Sequence, residues 1–436
     1  MLARRPDVCA HIRRLVVRPN YYLSWPRRDK HLDEEWLARM IETVAPGLRG
    51  LTVFDWDGLE LPGDPLWEAL RVSCPQLRSI STNLGSRLVH SRSKLFQFSH
   101  LVSFSLIVRH NVARPSPDGE VDMFPLPQQL PDTFWDMILH RCPDLGELTI
   151  CSFSPYTCTF DISPLLDRKE SDIPTFPRLT NLTLGSFGYQ SDFTLGPPYD
   201  PSFGRFLAQH PSLTHLRLLW NFRRWISPDT VPMSLTSQAL PRLDTFVGIY
   251  QQLAEIPVEH RRRIRTVDLT CEPVYEMRVD KVSEVLATMS GMRSLDVWVH
   301  VGDNREEHGP FFARLVGALG GLEEIHFMCT TAFSKKPLDE LLTYVKGMHQ
   351  LRRFSLTKGH RYRGDESMLG TAERIVRACG QIKTVSVRWA REKCPNHLKQ
   401  EGVYEVEESG WLSAHERGIP FVGRPFERRY RRRLQT

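Results

Sequence analysis

The sequence predicts an α/β solenoid in which a parallel sheet lines a concave face and helices cover the convex one. Two observations carry this. A phrase [Pro/Gly]-x-Leu-x-x-Leu-x-Leu recurs along the chain, clearest at Pro143–Ile150, Pro177–Leu184 and Pro211–Leu218. A helix-period apolar stretch precedes most copies, so strand and helix alternate.

The first apolar position of the phrase falls at Ile12, Leu48, Leu77, Leu101, Leu145, Leu179, Leu213, Leu243, Ile264, Met292, Leu322, Leu351 and Ile382. These thirteen anchors lie about 31 residues apart on average, within the range of solenoid arrays. The second position runs from Leu15 and Leu51 to Val385. The third runs from Val17 and Val53 to Val387 and is broken only by Thr82 and Gly248. Alternation at the end of the phrase is that of a strand with one buried face. Helices are expected at Leu66–Cys74, Phe134–Cys142, Phe203–Gln209, Val282–Met289, Phe311–Leu319, Leu338–Val345 and Ala372–Ala378, each stopped near a Pro or Gly. One helix per strand implies parallel pairing, because a parallel crossover needs a connecting element.

These spacings define one array over residues 1–390, followed by a C-terminal cap segment and Arg-rich tail over 391–436. The alternating Val403–Glu407 is expected to cap the last strand, with Trp411 packed nearby. Arg13, Arg14 and Arg18 discourage pairing at the open first edge. Long Pro-rich interruptions, such as Arg109–Pro131 and Ser152–Pro177, read as inserted loops.

The 436 residues carry a formal net charge of +6, but Arg424, Arg428, Arg429, Arg431, Arg432 and Arg433 against Glu427 account for most of it. The body is nearly neutral, so a nucleic-acid groove is disfavoured, and the tail reads as a solvated arm, an import signal or a contact for an anionic partner. No export signal, no membrane span and nine scattered Cys point to the cytoplasm or nucleus.

No nucleophile–base motif, phosphate loop or complete metal-ligand set is present, so neither enzyme activity nor a cofactor nor a metal site is expected. Asp55-Trp56-Asp57-Gly58 opens like a calcium loop but has Leu66 where the distal Glu belongs. The candidate site is instead a surface. The middle x of Leu-x-Leu faces away from the helices: Val16, Thr52, Ser81, Ser105, Thr149, Thr183, Arg217, Val247, Asp268, Asp296, His326, Ser355 and Ser386. Charge enters at Arg217. Aromatics and arginines, the favoured interface anchors, gather just past the strands at Trp220, Phe222, Arg223, Arg224, Trp225, Tyr250 and Trp298. Together with Arg217, Asp268 and Asp296 these form the expected protein-binding site on the concave face.

The pattern resembles the leucine-rich repeat proteins, and within them the Cys-containing kind found in F-box receptors. Cys74-Pro75-x-Leu77, Cys142-Pro143-x-Leu145 and Cys379-Gly380-x-Ile382 carry the resemblance, together with Arg5-Pro6-Asp7 before His11–Val17, which is similar to the first strand of many fungal F-box/leucine-rich-repeat proteins. It runs from Ile12 to Val387. The resemblance implies a non-catalytic recognition scaffold like the substrate-binding part of a Skp–cullin–F-box ubiquitin ligase. An F-box itself is not found. Leu130-Pro131 echoes its opening, but a repeat helix and strand follow at once, so a Skp-type adaptor is expected only if an F-box stands upstream. The alternatives are a free-standing repeat adaptor and, more remotely, an enzyme or nucleic-acid binder using the inserted loops or the basic tail.

Overall fold

A computed structural model describes residues 5–19, 32–85, 89–108, 130–152, 163–166, 176–186, 202–219, 233–301, 308–329, 333, 335–359, 366–391, 394–408, 411–418 and 426–434. The chain divides into two compact units, Met1–Arg242 and Leu243–Thr436.

Among the described residues the N-terminal unit holds seven strands, β1 (Arg14–Val17), β2 (Val53–Trp56), β3 (Ser79–Leu84), β4 (Ser103–Val108), β5 (Glu147–Ser152), β6 (Asn181–Ser186) and β7 (His215–Leu219). They pair in chain order and all in parallel. The helices between them are α1 (Pro6–Cys9), α2 (Glu34–Val44), α3 (Asp64–Ser73), α4 (Asp132–Asp136), α5 (Ser163–Leu166) and α6 (Ser202–Ala208). In the C-terminal unit β8 (Thr245–Val247), β9 (Thr266–Val274), β10 (Ser294–Val299), β11 (Glu324–Cys329), β12 (Arg353–Gly359) and β13 (Thr384–Arg391) likewise pair in chain order and in parallel. Its helices are α7 (Tyr250–Glu255), α8 (Val258–Arg261), α9 (Val279–Ala287), α10 (Gly309–Gly317), α11 (Lys335–Val345) and α12 (Met368–Ala378). Each unit is built as an α/β leucine-rich repeat solenoid, and among the described residues the strands β1 to β13 match the thirteen anchors in number.

One recurring turn precedes most of the strands. The anchor N–H donates to the carbonyl three residues earlier: Ile12 to Cys9 (3.2 Å), Leu77 to Cys74 (3.0 Å), Leu145 to Cys142 (3.3 Å), Leu213 to His210 (3.1 Å) and Ile382 to Cys379 (3.1 Å). Cys9, Cys74, Cys142 and Cys379 are all buried at this position. Burial pushes the Cys74 and Cys379 thiols up to about 11, so they are packing groups rather than nucleophiles.

Strand register corrects the phase of the second repeat. Leu48 and Leu51 both make the turn bond, to Ala45 and to Leu48 (2.9 Å each), but Thr52 N–H makes the rung to the Arg13 carbonyl (2.8 Å), and Phe54 and Trp56 lie opposite Leu15 and Val17. The apolar trio is therefore Leu51, Phe54 and Trp56, not Leu48, Leu51 and Val53. Both trios satisfy the phrase. The trio with Phe54 and Trp56 wins because these side chains are far larger than Leu51 and Val53 and are fully buried. The outward residue of this repeat is accordingly Asp55, since Thr52 makes the rung to the Arg13 carbonyl.

The helix expected over Phe134–Cys142 is α-helical only to Asp136 and widens to a π turn over Met137–Arg141. The wider turn puts Met137, Ile138 and Leu139 all into the core, which a 3.6-residue period does not allow. Leu130-Pro131 leads straight into this helix.

Beyond β13 the pairing turns antiparallel through β14 (Cys394–Val406), β15 (Trp411–Gly418) and β16 (Phe426–Arg433). Tyr404, fully buried, sits beside Val385 where a further repeat would place its core Leu. Trp411 is exposed, contrary to the expected packing. Nor is the basic run a loose arm. It is β16, and Arg431 pairs with Glu407, Arg432 with Glu373 of α12, and Arg429 with Glu427. No helix among the described residues is long and apolar enough to cross a membrane.

Candidate functional site

Parallel register at a two-residue period stacks the same repeat position on every strand. On the face opposite the helices the central row of the N-terminal unit is Val16, Asp55, Ser81, Ser105, Thr149, Thr183 and Arg217. That of the C-terminal unit is Val247, Asp268, Asp296, His326, Ser355, Ser386 and then Val403 of β14.

In the N-terminal unit this face is mostly small and polar, cross-linked by short bonds. Glu147 accepts from Ser103 on one side (2.9 Å) and Asn181 on the other (3.1 Å). Asp55 and Asp57, which open the calcium-like sequence, face Arg18 at 4.0 and 3.5 Å, and Asn83 donates to Asp57 at 3.0 Å. Their charge is answered by a guanidinium and an amide. No cluster of three potential metal ligands occurs among the described residues.

The C-terminal unit carries charge in the same row. Asp268 and Asp296 are direct cross-strand neighbours, an arrangement that repels. Each carboxylate is therefore turned to a different donor. Asp268 accepts from the Thr270 N–H (2.8 Å) and hydroxyl (2.6 Å). Asp296 faces His326 Nδ1 at 3.6 Å, and His326 Nε2 lies 2.8 Å from the Thr357 hydroxyl. Asp296, His326 and Thr357 thus form a line across β10, β11 and β12. The residue types are those of a nucleophile relay, but Thr357 is only 2% exposed and its oxygen has no route to a substrate. What the line does is fix the direction of the Asp296 and His326 side chains. Further along the face Arg388 and Arg417 converge on Glu401, at 2.8 Å each. Burial pushes that carboxyl up, and the two guanidiniums outweigh it and hold it below the usual range.

The expected site residues separate. Asp268 and Asp296 are adjacent in the row, and Arg217 is exposed in the row of the other unit. Trp298 shares the strand of Asp296 but is 6% exposed, in register with the equally buried Met328, so it is no exposed anchor. Tyr250, three residues past the row residue Val247, opens α7. It lines a void of about 10 Å³ with Glu272 and Arg278, too small to admit a ligand. Trp220, Phe222, Arg223, Arg224 and Trp225 lie outside the described residues. Sequence reasoning missed Asp55, through the phase slip. It also missed His326 as a partner of Asp296, although a one-repeat offset places them side by side.

No family model matches the chain, and no curated protein matches it. Among solved structures, a chain of the crystal structure of the Rad7 and Elc1 complex in yeast is similar at 12% identity and a TM-score of 0.45, covering 76% of this chain and 77% of that one. The leucine-rich repeat-containing protein LegL7 from Legionella pneumophila is similar at 15% identity and a TM-score of 0.37, covering 75% of this chain and 88% of that one. Likenesses this remote carry no argument about activity or partner.

Proposed function

We propose that the chain is a protein-recognition scaffold and that the face opposite the helices in the C-terminal unit takes a protein partner. The observation that supports this is the row Asp268, Asp296 and His326, in register across three strands, with Asp268 held by Thr270 of its own strand and Asp296 facing His326 of the next. Pre-oriented charge on a rigid sheet adds specificity and little entropy loss to an encounter. Arg217 is a candidate contact on the row of its own unit, the stretch from Trp220 to Trp225 is a candidate from sequence that lies outside the described residues, and Tyr250 and the buried Trp298 are set aside as anchors. The finer form of the proposal is the substrate-binding part of a Skp–cullin–F-box ligase, supported by the resemblance at Cys74, Cys142 and Cys379, with the cytoplasm or nucleus as its place.

Affinity purification with mass spectrometry tests both levels. The expected result is a recovered partner whose binding falls at least tenfold with Asp296→Ala and His326→Ala together. Unchanged recovery with that variant overturns the assignment of the face. Recovery of cullin and a Skp-type adaptor supports the finer form, and a partner obtained without them overturns it.

A further inference from the structure

The near-neutral balance of the body, apart from the C-terminal arginines, hides an uneven placement. In the C-terminal unit the residue just after each anchor forms one rim of the sheet, where the strands begin. Successive rim residues are joined by backbone bonds: Arg293 N–H to the Arg265 carbonyl (2.8 Å), Glu323 to Arg293 (2.8 Å), Arg352 to Glu323 (2.7 Å) and Lys383 to Arg352 (2.8 Å). One charged residue therefore stands on each rung, and at about 4.8 Å per strand the five rungs span about 19 Å. The turn before Arg265 adds Arg262 and Arg263, both exposed.

The carboxylates on this rim are used. Asp244 faces Arg265 at 3.6 Å, Glu323 faces Arg293 at 3.5 Å, and Glu324 pairs with Arg353. Arg352 donates only to backbone carbonyls, those of His349, Leu351 and Gln381. Among the described residues Arg262, Arg263 and Lys383 face no carboxylate within ion-pair distance. After internal pairing the rim thus keeps four positive charges, those of Arg262, Arg263, Arg352 and Lys383. Glu405 and Glu407, either side of the next rung at Val406, bound the strip beyond Lys383.

We propose that this rim is a second interaction surface, separate from the charged row of the sheet face, and that it takes an extended acidic polypeptide segment. A 19 Å strip accommodates about six residues of extended chain. Nucleic acid fits less well. No aromatic side chain stands on the rim to stack a base, and Glu323 with Glu324 interrupts the positive track that a continuous phosphate backbone follows. A polypeptide can place its carboxylates at the two ends of the strip and neutral residues between them.

The test uses the full chain with two fluorescent probes of equal charge, a polyglutamate peptide and a single-stranded oligothymidylate, followed by anisotropy at low and at physiological salt. The peptide is expected to bind at low salt and to weaken at higher salt. Affinity should fall at least tenfold in Arg262→Glu/Arg263→Glu and severalfold in Lys383→Gln, whereas Arg71→Glu on α3 leaves it unchanged. Arg262→Gln/Arg263→Gln, which carries no new charge, separates loss of the surface from loss of fold. Tighter binding of the oligonucleotide, no peptide binding, or wild-type binding by the reversed variants overturns the proposal. Because the Asp296 and His326 variants leave the rim intact, failure here and failure of the sheet-face assignment are distinguishable.

Discussion

Thr82 and His210 show how a single residue departs from the repeat and what that costs. Thr82 stands where the phrase asks for an apolar side chain, is fully buried, and its hydroxyl has no hydrogen-bond partner. A buried donor without a partner costs about 1–3 kcal/mol. Thr82→Val keeps the shape and removes that penalty, so its urea midpoint is expected to rise, equivalent to about 1 kcal/mol. His210 occupies the position of Cys74 and Cys142 and is 2% exposed, packed between Phe176 and Phe206. Its Nδ1 lies 2.6 Å from the Phe206 carbonyl, and its Nε2 accepts from the Phe176 N–H at 3.3 Å. The ring is thus held neutral with both nitrogens satisfied. Burial lowers its affinity for a proton, outweighing the Phe206 carbonyl, which acts the other way. The unfolded chain takes up the proton first, near its ordinary value of about 6.5. The stabilisation is therefore complete above that pH and is lost as pH falls through it toward the lowered folded value. Urea titrations at successive pH values should show this acid-side loss, and His210→Phe should flatten it while lowering stability at every pH by leaving the Phe176 N–H unpaired.

At the scale of elements, the antiparallel trio β14–β16 closes the last repeat. Gly402 leaves room for the Tyr404 ring, since a Cβ there would come within 2.7 Å of it. The hydroxyls of Tyr404 and Tyr430 both donate to Glu416, at 2.7 and 2.5 Å. Tyr404→Phe removes one of two donors to a carboxylate and is expected to destabilise by about 1.5–3 kcal/mol, seen as a lower melting temperature. Truncation before β14 uncovers Val385 and Val387 together with a bare strand edge, and aggregation of the shortened chain in light scattering is the expected outcome. The arginines of β16 belong to this element too. Their pairing with Glu407, Glu427 and Glu373 makes them part of the closure and explains why so basic a stretch is ordered as a strand.

For the molecule as a whole, stability is distributed along the stack. Each core Leu gains about 1.5–3 kcal/mol only when the next repeat covers it, so a defect is shared with its neighbours. Leu216 is fully buried on β7 against Leu182 of β6. Leu216→Asp is expected to unfold more than its own repeat, with a loss of helical circular dichroism larger than α6 alone supplies. Unchanged signal and melting would contradict this.

The repeat phrase by itself determined the parallel order of the strands, the buried rows and the outward row, because periodicity and burial are local properties that one chain displays in its letters. It placed Asp268 beside Asp296 for the same reason. Ambiguities arose where two phases satisfied one phrase, as at Leu48 and Leu51, and only packing volume separated them. Tertiary structure alone decided that Trp298 is buried, that Tyr250 starts a helix, that His326 links Asp296 to Thr357 and that the terminal arginines close a sheet. These depend on which side chains meet across repeats, and a distance between partners about 30 residues apart is set by the stacking of strands, not by the order of residues along one of them.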